Sequence, residues 1–365
     1  MNISFIVPGM GFGGAERVIS ILSKGLVEKG HTVTLGILST APKDVAYTLD
    51  SRVQVVHIQS YQLRSVSGVR NTLKNIADFL QNSQTEIVLC FANPVCALVS
   101  IVCKKMKLPL IFSERNDPRR YLTSFTDKLL QKVLLKNVSY MVFQTEGAKN
   151  LYPEKIRKHS VVILNPLDVS CMPDYFEGVR RKVIVSVGRL QEQKRTDVLI
   201  DAFAQIADRH ADYTLELYGK GNLLDDLTAR VESYGLSDRV KFMGTSSTVF
   251  ENIKDAALFA LTSDFEGLPN ALLEAMALGL PCVSTRCSPG GAEELIRDGE
   301  NGYLVPCGDL AALAQRMDSI LCNYDEALAV GKKAYKIRSR AEIQTIINAW
   351  ERYIYNVCKK QRDEK

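Results

Sequence analysis

The sequence carries one stretch in which a buried strand passes directly into a helix, Ser263-Asp-Phe-Glu-Gly-Leu-Pro-Asn-Ala-Leu-Leu-Glu274. The apolar run at 256–262 predicts the strand, and apolar residues at helical spacing over 271–278 predict the helix. Gly267 permits a tight turn between them, and Pro269 suits the first helical position because its missing N–H would be unbonded there. A strand that leads straight into a helix is the repeating unit of an α/β fold.

Two glutamates frame this predicted helix start. Glu266 should lie in the loop, and Glu274 should project from the second turn of the helix. The backbone amides of Leu268, Asn270 and Ala271 would point the same way, and the helix dipole favours an anion beside them. Carboxylates accept hydrogen bonds from sugar hydroxyls, while amides hold phosphate. The stretch is therefore suited to a sugar nucleotide, although by itself it also fits a helix with an incidental acidic turn.

Strand-like runs alternate with predicted helices along the rest of the chain, which indicates parallel, doubly wound sheets. These runs are 2–8, 32–39, 53–58, 87–91, 110–113, 140–144, 161–164, 183–189, 213–218, 240–243, 256–262 and 281–285. A Pro- and Asp-containing linker at 166–177 separates two such sets. We therefore predict one domain at 1–172, a second at 173–340, and a helical segment at 341–365 that packs back on the first domain. The cleft between the domains is the default site.

Size and cysteine usage restrict the class of protein. A chain of 365 residues is too long for one ordinary core and fits two domains. The nine cysteines include no C-x-x-C pair, which argues against disulfides or a zinc cage and favours a reducing, cytoplasmic setting. No secretory signal is recognisable, and the apolar region 87–103 is interrupted by Asn93-Pro94 and is too short to span a bilayer.

Charge is distributed unevenly along the chain. Residues 1–172 contain 21 Lys and Arg against 12 Asp and Glu, whereas the remainder contains 25 against 29. Within the basic half, Lys128, Lys132 and Lys136 recur at helical spacing and would form one stripe. This pattern fits a solvated helix face, an anionic membrane surface or a diphosphate. Nucleic acid is not expected, because no basic run is interleaved with stacking aromatics.

The first loop is rich in glycine. Gly9, Gly11 and Gly14 satisfy G-x-G-x-x-G between a strand and a helix, the pattern of a dinucleotide fold. Such a fold also needs an acid at the end of the second strand to hold the ribose, and here that strand ends in Ser39-Thr40. A nicotinamide-dependent oxidoreductase is therefore disfavoured. The glycine-rich loop can still bind an anion, because its backbone amides can approach the anion closely.

Two cations follow the first strand of the second half. Arg189 ends the run Val183-Ile-Val-Ser-Val-Gly-Arg189, and Lys194 lies five residues further on. Arg offers a bidentate fork to phosphate and Lys a compact charge, so together they could neutralise a leaving diphosphate. No metal is expected, because the four histidines are isolated from one another and no H-E-x-x-H or Asp-x-Asp motif occurs.

Taken together, the motifs resemble the retaining GT-B glycosyltransferases of family four. The resemblance covers nearly the whole chain and is strongest from 183 to 306. The motifs, in order, are Gly13-Gly-Ala-Glu-Arg17, Gly188-Arg189 with Lys194, Phe242-Met-Gly244, Glu266 with Glu274, Gly290-Gly-Ala-Glu-Glu294 and Asp298-Gly-Glu-Asn-Gly-Tyr-Leu-Val305. The resemblance implies two Rossmann-like domains facing a cleft and a nucleoside diphosphate sugar, with UDP as the expected nucleotide, as co-substrate without any metal or other cofactor.

The resemblance also implies roles for individual residues. Arg189 and Lys194 would hold the donor diphosphate, and Glu266 would act with them in catalysis. The remaining implied donor contacts are Glu274 to the ribose hydroxyls, Glu266 with Gly267, Leu268, Pro269 and Asn270 to the hexose and phosphates, Gly13 and Gly14 to the β-phosphate, and the region after Gly244 to the base. Many relatives have His where this chain has Arg115, so the roles of Arg115 and Glu114 stay open.

The expected reaction is metal-independent transfer of a hexose or N-acetylhexosamine to a saccharide acceptor with retention of configuration. The basic first half and the Gly-Gly-Ala-Glu opening resemble bacterial enzymes that extend polyprenyl-diphosphate-linked glycans for the cell surface. We therefore expect a cytoplasmic enzyme located peripherally on the inner face of the membrane. A sugar-nucleotide epimerase of the same plan, the oxidoreductase and a non-catalytic binding module are the alternatives.

Overall fold

In the computed structural model, the described residues are 1–11, 13–38, 47–59, 65–91, 93–121 and 124–363. Ser39 and Thr40, at the end of the predicted second strand, lie outside the described residues, as do Phe12 of the first loop and residues 364–365 of the last predicted segment.

Strands and helices alternate through most of the chain, as the sequence predicts. The strands are β1 (Asn2–Val7), β2 (Thr32–Leu38), β3 (Gln54–Ile58), β4 (Ile87–Cys90), β5 (Leu110–Ser113), β6 (Tyr140–Phe143), β7 (Val161–Val162), β8 (Arg181–Val187), β9 (Thr214–Tyr218), β10 (Val240–Gly244), β11 (Ala256–Leu261), β12 (Cys282–Thr285) and β13 (Tyr303–Val305). The helices are α1 (Gly14–Glu28), α2 (Val66–Asn82), α3 (Asn93–Met106), α4 (Pro118–Tyr121), α5 (Phe125–Asn137), α6 (Glu146–Asn150), α7 (Glu154–Arg157), α8 (Thr196–Ile206), α9 (Leu224–Ser233), α10 (Val249–Ile253), α11 (Asn270–Ala277), α12 (Gly291–Leu295), α13 (Leu310–Cys322), α14 (Tyr324–Ala334), α15 (Ile337–Ala341) and α16 (Ile343–Asp363).

The chain divides into two compact units. The first contains Met1–Pro166 together with Ile343–Lys365, and the second contains Leu167–Glu342. The sequence places the corresponding boundaries at 172/173 and 340/341. Residues from Leu167 onward belong to the second unit, where the guanidinium of Arg338 donates hydrogen bonds to the carbonyls of Val169, Met172 and Pro173.

Both units contain a parallel sheet with the same strand order. The first sheet has seven strands in the order β3-β2-β1-β4-β5-β6-β7, and the second has six in the order β10-β9-β8-β11-β12-β13. In each sheet the first strand of the unit lies between the second and the fourth. This is the Rossmann order, with a switch point between β1 and β4 in one unit and between β8 and β11 in the other. The α/β, doubly wound fold class predicted from the sequence is confirmed.

The strands at the centre of each sheet are the ones whose residues are apolar and buried. Every residue of β4 and β11 is buried, as expected for strands covered by helices on both faces. The edge strand β3 is mostly exposed, and Val55 and Val56 are each 39% exposed. Because the central strands cannot leave the core, the residues that follow them have fixed positions at the carboxyl edge of each sheet.

The last helix, α16, packs within the first unit. Its Trp350 is fully buried and its ring stacks 5.8 Å from that of Phe91. A Cβ on Gly25 of α1 would lie 1.9 Å from Cδ1 of Ile347, so glycine lets the two helices approach closely. Glu351 of α16 also accepts a hydrogen bond from the buried His31, 3.2 Å away.

Candidate functional site

The candidate site of the second unit lies at its switch point. The loops after β8 and β11 follow adjacent strands, because β8 pairs with β11 in parallel. Arg189 and Lys194 belong to the first loop, and Glu266 belongs to the second. Ligands of open α/β sheets bind outside the carboxyl ends of the strands at this point. The topology thus brings together two loops whose predicted site residues lie up to 77 positions apart in the sequence.

The loop after β8 is held on one side by the loop after β9. The amide of Gly188 donates to the carbonyl of Tyr218 at 2.9 Å, and the amide of Leu190 donates to that of Lys220 at 3.1 Å. Gly219 has a φ of +143°, and a Cβ there would lie 1.8 Å from the carbonyl oxygen of Gly188. A side chain at this position would force the two backbones apart.

On its other side the same loop is bonded to the loop after β11. The Gln193 side chain donates to the carbonyl of Phe265 at 2.7 Å, and the amide of Asp264 donates to the carbonyl of Gln193 at 2.9 Å. The hydroxyl of Thr262 donates to the carbonyl of Lys194, also at 2.9 Å. These bonds fix the position of Lys194 relative to the segment that carries Glu266.

Lys194 and Glu266 form the central ion pair of the site. The Lys194 ammonium donates to Oε1 of Glu266, and the Ser263 hydroxyl donates to the same oxygen at 2.8 Å. The two charged side chains retain only 18% and 11% of their exposure. Burial makes an unpaired charge costly, so each side chain holds the other in place. The structure thereby brings together two of the three predicted catalytic residues in direct contact.

Arg189 differs from this pair in its surroundings. The strand β8 ends at Val187, so Arg189 lies two residues beyond the strand rather than closing it as the sequence suggests. Its side chain is exposed, and it has no ion-pair partner within the described part of the chain. An arginine with five N–H donors and no protein acceptor can bind an oxyanion from solution.

The helix α11 starts one residue later than the sequence predicts. Pro269 is the residue before the first helical turn, and Asn270 is the first helical residue. The loop Glu266–Pro269 therefore leads directly to the end of the helix at which amide N–H groups have no partner within the helix. Glu274 lies on the second turn and is half-buried. The predicted order of loop glutamate, amides and helical glutamate is present in the structure.

A third loop, after β12, supports this helix start. Gly291 is buried, and a Cβ there would lie 2.7 Å from the carbonyl oxygen of Gly267 and 2.8 Å from Cδ of Pro269. The amide of Glu266 donates to the carbonyl of Ser288 at 2.8 Å. The backbone of the predicted motif at 290–294 therefore packs closely against the loop that carries Glu266 and supports it.

The remaining predicted glycines lie at the start of a helix or at the end of a strand. Gly13 directly precedes α1 in extended conformation, and Gly14 is its first residue. The carbonyl of Gly13 accepts a hydrogen bond from the Tyr47 hydroxyl at 3.0 Å. Gly244 is the last residue of β10, and its carbonyl accepts from the Gly219 amide at 2.8 Å. Gly13 and Gly14 belong to the first unit and Gly244 to the second.

Arg115 lies inside the first unit. Its guanidinium packs 4.8 Å from the centre of the Phe91 ring, and Nη1 donates to Asn165 at 2.8 Å. Burial lowers the pKa of Arg115 to about 9. Glu114 is buried and accepts a hydrogen bond of 2.6 Å from Tyr152. Both side chains are thus engaged in packing at the carboxyl end of β5.

His210 lies beside an aspartate and a cysteine. Nε2 of His210 lies 2.8 Å from Oδ1 of Asp318, and Cys322 is close to both. Asp318 also forms an ion pair with Arg209, whose Nε lies 3.3 Å from Oδ1, so its carboxylate is already paired. The three residues come from two helical regions that the sequence alone does not bring together.

The described part of the chain contains no helix with the combination of length and hydrophobicity that spanning a bilayer requires.

The comparison with protein families identifies the chemistry. Residues 172–337 match the family described as glycosyl transferases group 1. These residues span nearly the whole second unit, including the three loops that form the candidate site. The protein is a glycosyltransferase.

Two relatives cover almost the whole chain of this glycosyltransferase. The GalNAc-alpha-(1->4)-GalNAc-alpha-(1->3)-diNAcBac-PP-undecaprenol alpha-1,4-N-acetyl-D-galactosaminyltransferase of Campylobacter jejuni is 26% identical over 98% of this chain and 99% of its own. The lipopolysaccharide 1,6-galactosyltransferase of Salmonella typhimurium is 25% identical over 88% of this chain and 90% of its own.

A solved structure supports the fold. HepE from Anabaena, crystallised in complex with UDP-glucose, superimposes with a TM-score of 0.80 over 97% of this chain and 99% of its own, at 20% identity. The two Rossmann-like units of this glycosyltransferase are thus those of the GT-B fold, as predicted.

Sequence reasoning missed the residues that support the site. Ser263, Thr262 and Gln193 bind the charged residues or the loops that carry them, yet none is charged or part of a recognisable motif. The available signal was position, because all three lie in the segments that follow β8 and β11, the strands flanking the switch point.

Replacing Gly291 by alanine tests the support from the third loop. The new Cβ would meet backbone and proline atoms that cannot rotate away, so we expect the loop Glu266–Pro269 to shift. Hydrogen–deuterium exchange should then show faster exchange of the amides at 266–272. The control is Glu293→Ala, an exposed change on the same helix, which should leave these rates unaltered. Equal exchange in both variants would show that Gly291 does not support the helix start.

Proposed function

We propose that this enzyme transfers a hexose or N-acetylhexosamine from a nucleoside diphosphate sugar, with UDP as the nucleotide, to a saccharide acceptor linked to a polyprenyl diphosphate. The transfer retains the anomeric configuration and contributes to cell-surface glycan assembly. The two relatives support the acceptor class, since one is named for an undecaprenyl-diphosphate-linked saccharide and the other for lipopolysaccharide. HepE in complex with UDP-glucose supports the donor class.

The observation that carries the proposal is the joining of the β8 and β11 loops at the switch point. It sets the exposed Arg189 guanidinium and the Lys194 ammonium on a loop that is hydrogen-bonded to the segment leading into α11. A diphosphate bound there would meet a fork of N–H donors, a point charge and the first amides of a helix. Glu266 would accept from the hydroxyls of the transferred sugar, and Glu274 from those of the ribose.

The proposed chemistry needs no protein nucleophile. The bond between the anomeric carbon and the diphosphate oxygen breaks, and the acceptor hydroxyl oxygen bonds to the same face of that carbon. The acceptor proton passes to the departing phosphate oxygen. Arg189 and Lys194 stabilise the negative charge that grows on the diphosphate as the bond opens. The epimerase alternative has no support from the relatives described above, which are transferases.

The charge-stabilising role of Arg189 is tested by Arg189→Ala. Loss of one donor to a developing oxyanion costs about 2.7–4 kcal/mol, so we expect kcat to fall by roughly 10²–10³. The fold should be unaffected, because the side chain is exposed. Arg297→Ala is the matched control, since that side chain is 83% exposed in the same unit. Initial rates of transfer from UDP-sugars provide the measurement, and wild-type turnover of Arg189→Ala would contradict the assignment.

Metal independence is a separate part of the proposal. If Arg189, Lys194 and the helix amides carry the leaving-group charge, a divalent cation is not required for transfer. We expect full activity after extensive dialysis against EDTA and in its continued presence. A strict requirement for added Mg²⁺ or Mn²⁺ would contradict a metal-free leaving group without affecting the donor assignment.

We place the enzyme peripherally on the cytoplasmic membrane face, with helix α5 as the contact. The exposed surface of α5 combines Lys128, Lys132 and Lys136 with Phe125 and Leu129, which are 82% and 51% exposed. These residues recur at spacings of three and four and so share one face. Basic side chains beside exposed apolar ones are typical of a helix that lies in the interface of an anionic membrane.

Sedimentation with vesicles tests this membrane contact. Changing Lys128, Lys132 and Lys136 to Ala removes three charges, each worth roughly 1 kcal/mol at an anionic surface, so binding should fall by about two orders of magnitude. The control removes three exposed lysines elsewhere, Lys24, Lys74 and Lys241. Vesicles contain phosphatidylglycerol and phosphatidylcholine. Equal, salt-insensitive recovery of wild type and both variants in the supernatant would refute the docking of α5.

A further inference from the structure

The first unit contains a cavity of about 860 Å³ lined by four lysines, Lys104, Lys107, Lys136 and Lys155. Lys104 and Lys136 come from the last turns of α3 and α5, Lys107 follows α3, and Lys155 belongs to α7. Three separate segments of the chain therefore direct basic residues to one concave surface.

No carboxylate lies among the described residues that line this cavity. None of the four ammonium groups has an ion-pair partner within 4.0 Å in the described chain, and Lys104 instead donates to the neutral side chain of Asn137 at 3.3 Å. The dipoles of α3 and α5 favour a basic residue at each helix end, but an effect of about 0.3–1 kcal/mol per residue does not explain four convergent charges. Their mutual repulsion decreases when an anion enters.

The cavity lies away from the edge of the sheet at which ligands of such folds bind. Its lining includes Leu110 and Tyr140, the first residues of β5 and β6, and so it lies at the amino ends of the strands. Gly13 and Arg115 follow the carboxyl ends of β1 and β5 in the same unit. The cavity is therefore a separate site from any at that edge.

A second cavity of about 440 Å³ extends the basic surface. It shares Tyr140 and His159 with the first and adds Lys158, Lys359 and Lys360. Asp363 is the one acidic residue among its described lining residues. Lysines thus outnumber acidic residues in the described lining of both cavities, and two of these lysines lie near the end of α16.

We propose that the cavity lined by Lys104, Lys107, Lys136 and Lys155 is a binding site for a phosphate-bearing anion. Ammonium groups bind phosphate oxygens as mobile point charges, which suits an open cavity. A diphosphate compound in solution and the headgroup of an acidic phospholipid present the same chemical group. This site does not depend on the proposed transfer reaction, since it shares no residue with the proposed donor site, whose charged residues Arg189, Lys194, Glu266 and Glu274 all belong to the second unit.

The test neutralises two lining lysines in the full-length protein, as Lys107→Gln with Lys155→Gln. Both side chains are exposed, and neither belongs to the α5 stripe. Inorganic pyrophosphate is titrated by calorimetry, and phosphatidylglycerol vesicles are used in parallel. We expect the affinity of one binding component to fall by about tenfold or more with one or both probes. Lys24→Gln with Lys74→Gln, an equal loss of charge on α1 and α2, should retain that component.

A donor-site variant and the use of two probes separate the possible outcomes. Lys194→Met should retain the component assigned to the cavity, so failure of the donor assignment and failure of the cavity assignment are distinguishable. A loss with pyrophosphate supports a soluble ligand, and a loss with vesicles alone supports a lipid headgroup. Identical binding of the cavity variant and the Lys24/Lys74 control, with matching thermal unfolding midpoints, would overturn the proposal.

Discussion

The ion pair between Lys194 and Glu266 is the interaction on which the candidate site depends. It joins the loops after two adjacent parallel strands, and Ser263 donates to the same carboxylate oxygen. Removing one partner of a fully buried pair costs about 3–5 kcal/mol, and the cost here is smaller because each side chain keeps some exposure. If either side chain moves out of the pair, the other remains as a mostly buried charge without a counterion. The pair therefore fixes the geometry of the loops before any substrate binds.

The same strand order occurs in both units, but they differ in charge. The basic first half carries the exposed α5 face and the lysine-lined cavity, whereas the acidic second half carries the group 1 glycosyl transferase segment. The basic half matches the proposed contact with an anionic membrane surface. In the acidic half, the proposed donor site depends on two local cations and the start of a helix rather than on net charge. The two proposed anion-binding sites lie at different strand ends, the amino ends in the first unit and the carboxyl ends in the second.

Much of the fold was predictable because its signals are local. Buried runs such as β4 and β11 are apolar throughout, so their strand character and their order along the chain are visible in the sequence. Element ends were less predictable, as at Arg189 and Pro269, because hydrogen bonds to neighbouring loops decide where a strand stops or a helix starts. The assigned roles of Arg189, Glu274 and the glycines stay predictions.

The α/β class, the charged residues of the candidate site and the motifs that resemble a glycosyltransferase follow from the amino-acid sequence. Each of these depends on residue type and short-range spacing. Folding, in contrast, is what brings Lys194 against Glu266, packs Gly291 on Gly267 and surrounds one cavity with lysines from three segments. Those contacts join residues far apart in the chain, and strand pairing across the sheet sets them. The spacing of residues along the sequence does not predict that pairing.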